Sequence, residues 1–210
     1  MAHVLHIQVS PRGEDSFSIR VARAFLEAYA EAHAEDTIET LDLPAHAPPA
    51  FLGDAAGAKM HTLGGQGLPD KEARVWEGIV EAVNHLKRAD KLVISSPMWN
   101  FGVPYHLKHY IDVIVQPQET FRYTESGEVE GLLAGRPALL ILARGGRYGP
   151  GTSGEAMDYQ LPYLRAVLRF IGLEKIDTVL VEPTVAEGPD AAARALDAAI
   201  ATVRKKARTF

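Results

Sequence analysis

The chain has 210 residues, enough for one sizeable core and short for two. Apolar residues make up 47% and charged residues 23%, a mix that excludes a disordered or fibrous protein. A formal net charge of −5 argues against nucleic acid as a partner, and the absence of cysteine removes disulfides, thiolate metal sites and a cysteine nucleophile.

Residues 3–9, HVLHIQV, read as a buried first strand, and SPRGED follows as a loop. From Ser16 the pattern turns helical, with Ile19, Ala22, Phe25, Leu26 and Tyr29 on one face. TIETLDL at 37–43 is a second strand, and 44–67, rich in Ala, Gly, Pro and His, is expected to be irregular. Pro69 opens a helix whose stripe of Ala73, Trp76, Ile79, Val80, Val83 and Leu86 belongs to the core. KLVIS at 91–95 is the third strand, and Pro104 opens a helix presenting Leu107, Tyr110, Ile111 and Ile114. TFRY at 120–123 and EGLL at 130–133 flank a Ser126-Gly127 turn, so a small hairpin is expected. PALLILA at 137–143 is the fourth core strand. A glycine-rich loop, a helix over 155–171, a fifth strand at 176–182 and a last helix from Pro189 complete the order.

Strands alternating with helices imply parallel β-α-β units, and continuously apolar strands imply a sheet covered on both faces. The predicted fold is an α/β, doubly wound, five-stranded parallel sheet in one domain, residues 1–210. The opening MAHVLHIQVS lacks the basic and long apolar regions of a signal peptide, and no run of about 18 apolar residues predicts a membrane span. The expected location is the cytoplasm. RKKAR at 204–208 suits the negative pole of a helix end.

Ligands of such sheets bind outside the carboxyl ends of the strands. Three loops leave those ends: Ser10 to Ser18, Pro97 to Phe101, and Ala143 to Gly146. The first runs into a helix N-terminus, where free amides and the hydroxyls of Ser10, Ser16 and Ser18 suit an anion, although Ser16 also reads as a plain N-cap and Glu14 and Asp15 oppose negative charge. The second sets Met98, Trp99, Asn100 and Phe101 at a strand exit, where large apolar side chains face water unless something flat covers them. The third offers Gly145 and Gly146, whose bare backbone admits a close approach or simply a tight turn.

Gly149-Pro-Gly151-Thr-Ser-Gly154 matches a dinucleotide fingerprint but follows its strand too late, and Pro150 removes an amide, so it reads as a turn. A hydrolase built on Ser10 or Ser153 has no histidine or carboxylate at motif spacing. His106, His109 and Asp112 share a helix face but read as a solvated or hydrogen-bonded surface rather than a metal site.

Taken together, Pro97-Met-Trp-Asn-Phe101, Leu107-Lys-x-Tyr-x-Asp112, Thr120-Phe-Arg-Tyr-Thr-Glu125, Ala143-Arg-Gly-Gly146, Pro162-Tyr-Leu164 and Phe170-Ile-Gly172 resemble the FMN-dependent NADH-azoreductases, also described as NADH:quinone oxidoreductases, in order and spacing over nearly the whole chain. The resemblance implies a flavodoxin-like fold with FMN as cofactor and NADH as electron donor. It implies ping-pong transfer to quinones or aromatic azo compounds, with no catalytic side chain. By the same resemblance Ser10, Ser16, Phe17 and Ser18 hold the phosphate end. Pro97, Met98, Trp99, Asn100 and Phe101 meet the ring, and Ala143, Arg144, Gly145 and Gly146 pass beside it. A homodimer is implied, with the hairpin and the helix from Pro104 shaping the subunit boundary and Phe121, Tyr123 and Tyr163 lining the acceptor slot. A flavodoxin-type electron carrier is the alternative. Residues 44–68 match the pattern little, and Ala143 stands where the pattern often has Ser.

Overall fold

The computed structural model describes residues 1–210. In chain order the elements are β1 (His3–Gln8), α1 (Phe17–Ala32), β2 (Thr37–Asp42), α2 (Gly53–Leu63), α3 (Asp70–Lys87), β3 (Lys91–Pro97), α4 (Tyr105–Ile114), β4 (Phe121–Tyr123), β5 (Val129–Gly131), β6 (Ala138–Ala143), α5 (Leu161–Phe170), β7 (Ile176–Val181) and α6 (Gly188–Ala207). Five strands pair in parallel in the order β2-β1-β3-β6-β7, the flavodoxin-like order. β4 and β5 form the expected antiparallel hairpin, with Phe121 opposite Gly131 and Gly127 at φ 81° in its turn.

The pleat divides each strand between two cores. Leu5 and Ile7 of β1 and Leu140 and Leu142 of β6 pack under α3, α4 and α5. Val4, Val93, Leu139 and Ile141 pack under α1 and α6, against Phe25, Tyr29 and Val203. Side chains alternate faces along a strand, so a sheet buried on both sides needs the unbroken apolar runs that this sequence carries. No helix is long and apolar enough to cross a membrane.

Two expectations are corrected. Residues 44–67 are not wholly irregular, because α2 occupies Gly53–Leu63. Its buried face is Ala55 and Ala58, set against Trp76, Ile79 and Val113. Side chains this small let α2 lie close to α3, and the same Ala and Gly content is what makes the stretch read as loop. The second correction shortens the helix expected at 155–171. Only a single 3-10 turn forms at Glu155–Met157, and α5 begins at Leu161. Asp158 breaks the run: its backbone is extended, and its Oδ1 accepts from the amides of Gln160 and Leu161, both at 3.0 Å.

Candidate functional site

After β1 the chain turns outward to β2, then crosses back over β1 to β3. The crevice at the carboxyl ends of β1 and β3 is therefore the switch point where such sheets take ligands. Backbone hydrogen bonds bring the three loops together there. Val9 N donates to Ser95 O at 3.1 Å, and Met98 N donates to Ala143 O at 2.8 Å.

The first loop ends in the N-terminus of α1. Ser10, Ser16 and Ser18 are all buried, and the hydroxyls of Ser16 and Ser18 lie 3.1 Å apart. No side chain caps α1, so the first-turn amides of Phe17, Ser18 and Ile19 have no helical acceptor. An uncapped helix start lined with hydroxyls fits a phosphate monoester. Glu14 does not spoil it, because its carboxylate is tied back to Arg23 by a salt bridge on the outer side of α1.

The second loop is a two-residue reverse turn. Trp99 N donates to Gly102 O and Gly102 N to Trp99 O, at 3.1 and 2.9 Å. Asn100 and Phe101, the central pair, have φ of 46° and 71°. A phenylalanine in the left-handed region is strained, and such strain persists only where surrounding contacts impose it. The turn leaves Trp99 and Phe101 exposed, at 36% and 42%, with Tyr148 edge-on to Phe101. Flat apolar surface held in a costly conformation at a ligand crevice suits an aromatic ring system.

The contacts that impose the turn come from residues 158–160, which the sequence reading did not single out. Tyr159 N donates to Phe101 O at 3.0 Å. Gln160, fully buried, donates through Nε2 to Pro97 O at 2.8 Å and accepts at Oε1 from Arg144 Nε at 3.2 Å. Arg144 is itself fully buried. Its Nη2 lies 2.9 Å from Asp158 Oδ2 and its Nη1 3.4 Å from Glu182 Oε2. The guanidinium thus points inward as a keystone, and only the backbone of the third loop faces the crevice. Glu182 also accepts from the amides of Tyr148 and Gly149. The one available signal was Asp158 just ahead of an apolar run containing Pro162, a helix-start pattern.

Gly145 and Gly146 follow Arg144. A Cβ on Gly146 would stand 3.3 Å from the Tyr148 ring, so this backbone lies close under an aromatic edge. The fingerprint-like Gly149–Gly154 segment forms a turn, with Thr152 N on Gly149 O, and leads into the 3-10 turn rather than a helix start. On α4, His109 Nε2 bonds Pro49 O, and both oxygens of Asp112 accept from Lys108.

Phe121 and Tyr123 do not reach this rim within one chain, whereas Tyr163 stands on the first turn of α5, one helical turn from Gln160. Phe121 is buried against Phe170, with ring centroids 4.7 Å apart at the far end of α5. Ten residues of helix, roughly 15 Å, separate that end from Gln160. Tyr123 is exposed on the hairpin, and Tyr163 borders a cavity beside α4.

Comparison with known proteins agrees with this architecture. The family model described as the flavodoxin-like fold matches residues 2–207. The FMN-dependent NADH:quinone oxidoreductase of Nitratidesulfovibrio vulgaris (strain Hildenborough) is 45% identical over 212 aligned positions, covering all of both chains. Among solved structures, the azoreductase of Bacillus anthracis str. Sterne superposes with a TM-score of 0.90 at 30% identity over the full length of both chains. The FMN-dependent NADH-azoreductase of Bacillus anthracis str. Ames Ancestor, solved in complex with FMN, gives 0.87 at 34% identity, covering 99% of this chain and 98% of that one. The chain belongs to the flavodoxin-like family of FMN-dependent NADH:quinone oxidoreductases and azoreductases.

Proposed function

We propose that this chain is an FMN-dependent NADH oxidoreductase that reduces quinones and aromatic azo compounds. The observation that carries the reading is convergence. An uncapped, serine-lined helix start, a strained aromatic turn and a side-chain-free Gly-Gly backbone meet at one switch point. Their order matches the parts of a flavin mononucleotide: phosphate at α1, ring between Met98–Phe101 and Gly145–Gly146.

When bound, FMN supplies the two-electron relay between donor and acceptor. The chain's own residues bind and orient. Ser10, Ser16 and Ser18 hold the phosphate with the α1 amides. Pro97, Met98, Trp99 and Phe101 exclude water from one face of the ring, while Asn100 and neighbouring amides meet its polar edge. Phe17 anchors the α1 start against the core under α1 and α6, and Ala143 and Arg144 fix the third loop. A single crevice open on one side receives NADH and acceptor in turn, which gives ping-pong kinetics. A quinone takes up two electrons and two protons, drawn from one NADH and one solvent proton. Cleavage of an azo bond to two amines takes four electrons, hence two NADH and two protons.

Because Phe121 and Tyr123 lie away from the rim of their own chain, they join Tyr163 in the acceptor slot only if a second copy presents them. A homodimer follows, with α4 and the hairpin at its boundary. The cytoplasm, where NADH is regenerated, is the compartment assigned.

The test is NADH oxidation by purified, FMN-loaded protein with menadione as acceptor. The reading expects turnover without any partner protein. A requirement for a separate donor enzyme would make the chain an electron carrier instead.

A further inference from the structure

Behind the two loops assigned to the ring sits a buried charge cluster that does not balance. Arg144, fully buried, faces two carboxylates, Asp158 and Glu182, whose side chains are 7% and 11% exposed. Asp158 is the tighter partner. Its Oδ2 lies 2.9 Å from Arg144 Nη2, and its Oδ1 accepts the amides of Gln160 and Leu161. Glu182 stands 3.4 Å from Nη1. Its remaining bonds come from neutral groups: Oε2 accepts from Tyr148 N at 3.1 Å, and Oε1 from Gly149 N at 2.9 Å.

One guanidinium against two carboxylates leaves one net negative charge, and the looser contact assigns it to Glu182. The other cations nearby do not cancel it. Arg147 feels Glu182, but it is half-exposed and makes two hydrogen bonds to Glu187, at 2.6 and 3.0 Å. Arg165 borders the cavity that Asp158 lines, and its Nη2 donates to Thr178 Oγ1 at 3.2 Å. A charge held this far from water is weakly screened.

Position gives the charge its consequence. Glu182 directly follows β7 and grips the third loop just past Gly145 and Gly146. Tyr148, whose amide it holds, sets its ring edge-on to Phe101, with centroids 6.0 Å apart. Uptake of two electrons and one proton leaves a flavin ring with one negative charge near neutral pH. A fixed anion beside the ring therefore costs the reduced form more than the oxidised one.

We propose that Glu182 lowers the reduction potential of the bound flavin, so that the reduced protein can serve acceptors that are harder to reduce. The inference rests on the functional reading above and gives Glu182 a tuning part in it, without contact to substrate.

The experiment measures the two-electron potential of FMN-loaded wild type, Glu182→Gln, Glu182→Asp and Asp158→Asn at pH 7.5. The flavin band at about 450 nm is followed against a reference dye during slow anaerobic reduction by xanthine and xanthine oxidase. Glu182→Gln favours the reduced form about tenfold, a rise of about 30 mV. Asp158→Asn, which removes the other carboxylate, moves the potential in the same direction. Glu182→Asp keeps the charge and loses the reach, so it stays within about twofold of wild type, or about 10 mV. A Glu182 that acts only through structure would make the Gln and Asp variants shift alike. That result, or a Glu182→Gln potential unchanged or lowered, overturns the proposal. If Glu182→Gln holds no FMN, the sign of the Asp158→Asn shift decides. Wild type that takes up no FMN ends the functional reading as well, whereas a bound flavin whose potential ignores Glu182 ends this inference alone.

Discussion

Gln160 leaves no polar atom of its side chain idle: the amide oxygen accepts from Arg144 and the nitrogen donates to Pro97 O. It bonds the third loop to the second, so its loss should loosen the crevice without opening the core. Gln160→Leu is predicted to weaken FMN binding about tenfold, the worth of its lost hydrogen bonds, in a fluorescence titration of the apoprotein. Gln160→Glu sets a carboxylate against the Pro97 carbonyl, and protonation restores the donor, so its affinity deficit shrinks as pH falls relative to wild type. An affinity equal to wild type in both variants contradicts the bridging role. The three loops that meet at the crevice were legible in the sequence because each stands at a strand end in a telling local pattern. The groups that hold them were not. Arg144 meets Gln160 sixteen residues on and Glu182 thirty-eight residues on, pairings that only the folded chain creates.

At the scale of elements, β1 carries a polar residue where the pattern expects only packing. His6 is buried, with Nε2 2.8 Å from Ser95 Oγ and Nδ1 3.2 Å from Thr40 Oγ1, so it ties β1 to both neighbouring strands. Burial lowers its pKa from 6.5 to about 4. Above pH 6.5 the imidazole is neutral folded and unfolded, and contributes no pH dependence. Between pH 6.5 and 4 the unfolded chain binds a proton that the fold refuses, so stability falls across that window, by on the order of 3 kcal/mol. Urea melts from pH 8 to 4 should show this decline, and His6→Asn should flatten it; an unchanged slope in the variant contradicts the assignment. The hairpin offers a second case. A Cβ on Gly131 would lie 2.2 Å from Gly172 N, which is backbone and cannot swing aside. Gly131→Ala should destabilise the protein by about 2 kcal/mol or more, lowering Tm by several degrees in calorimetry. A Tm within one degree of wild type would mean the hairpin does not dock there. Five core strands and most helices were readable because period and punctuation agree. α2 escaped because it packs through two alanines, and the true start of α5 because Asp158 and its cap interrupt a run that otherwise looks helical.

For the whole molecule, one chain supplies a rim and, some way off, Phe121 and Tyr123, which the family pattern assigns to the acceptor. Fold class and the three rim loops followed from alternation, strand ends and family pattern. The distance of Phe121 and Tyr123 from the rim did not, since sequence order says nothing about how far apart the folded chain sets them. Everything proposed for the reaction depends on a flavin nucleotide held at the carboxyl ends of β1, β3 and β6. The direct measurement is titration of apoprotein with FMN, followed by flavin fluorescence and by the visible bands at about 375 and 450 nm after gel filtration. One FMN per chain, retained through the column and weakened by Ser16→Ala with Ser18→Ala, is the expected result. A folded protein that stays colourless at micromolar FMN, or binds it equally well without those hydroxyls, contradicts the site described here.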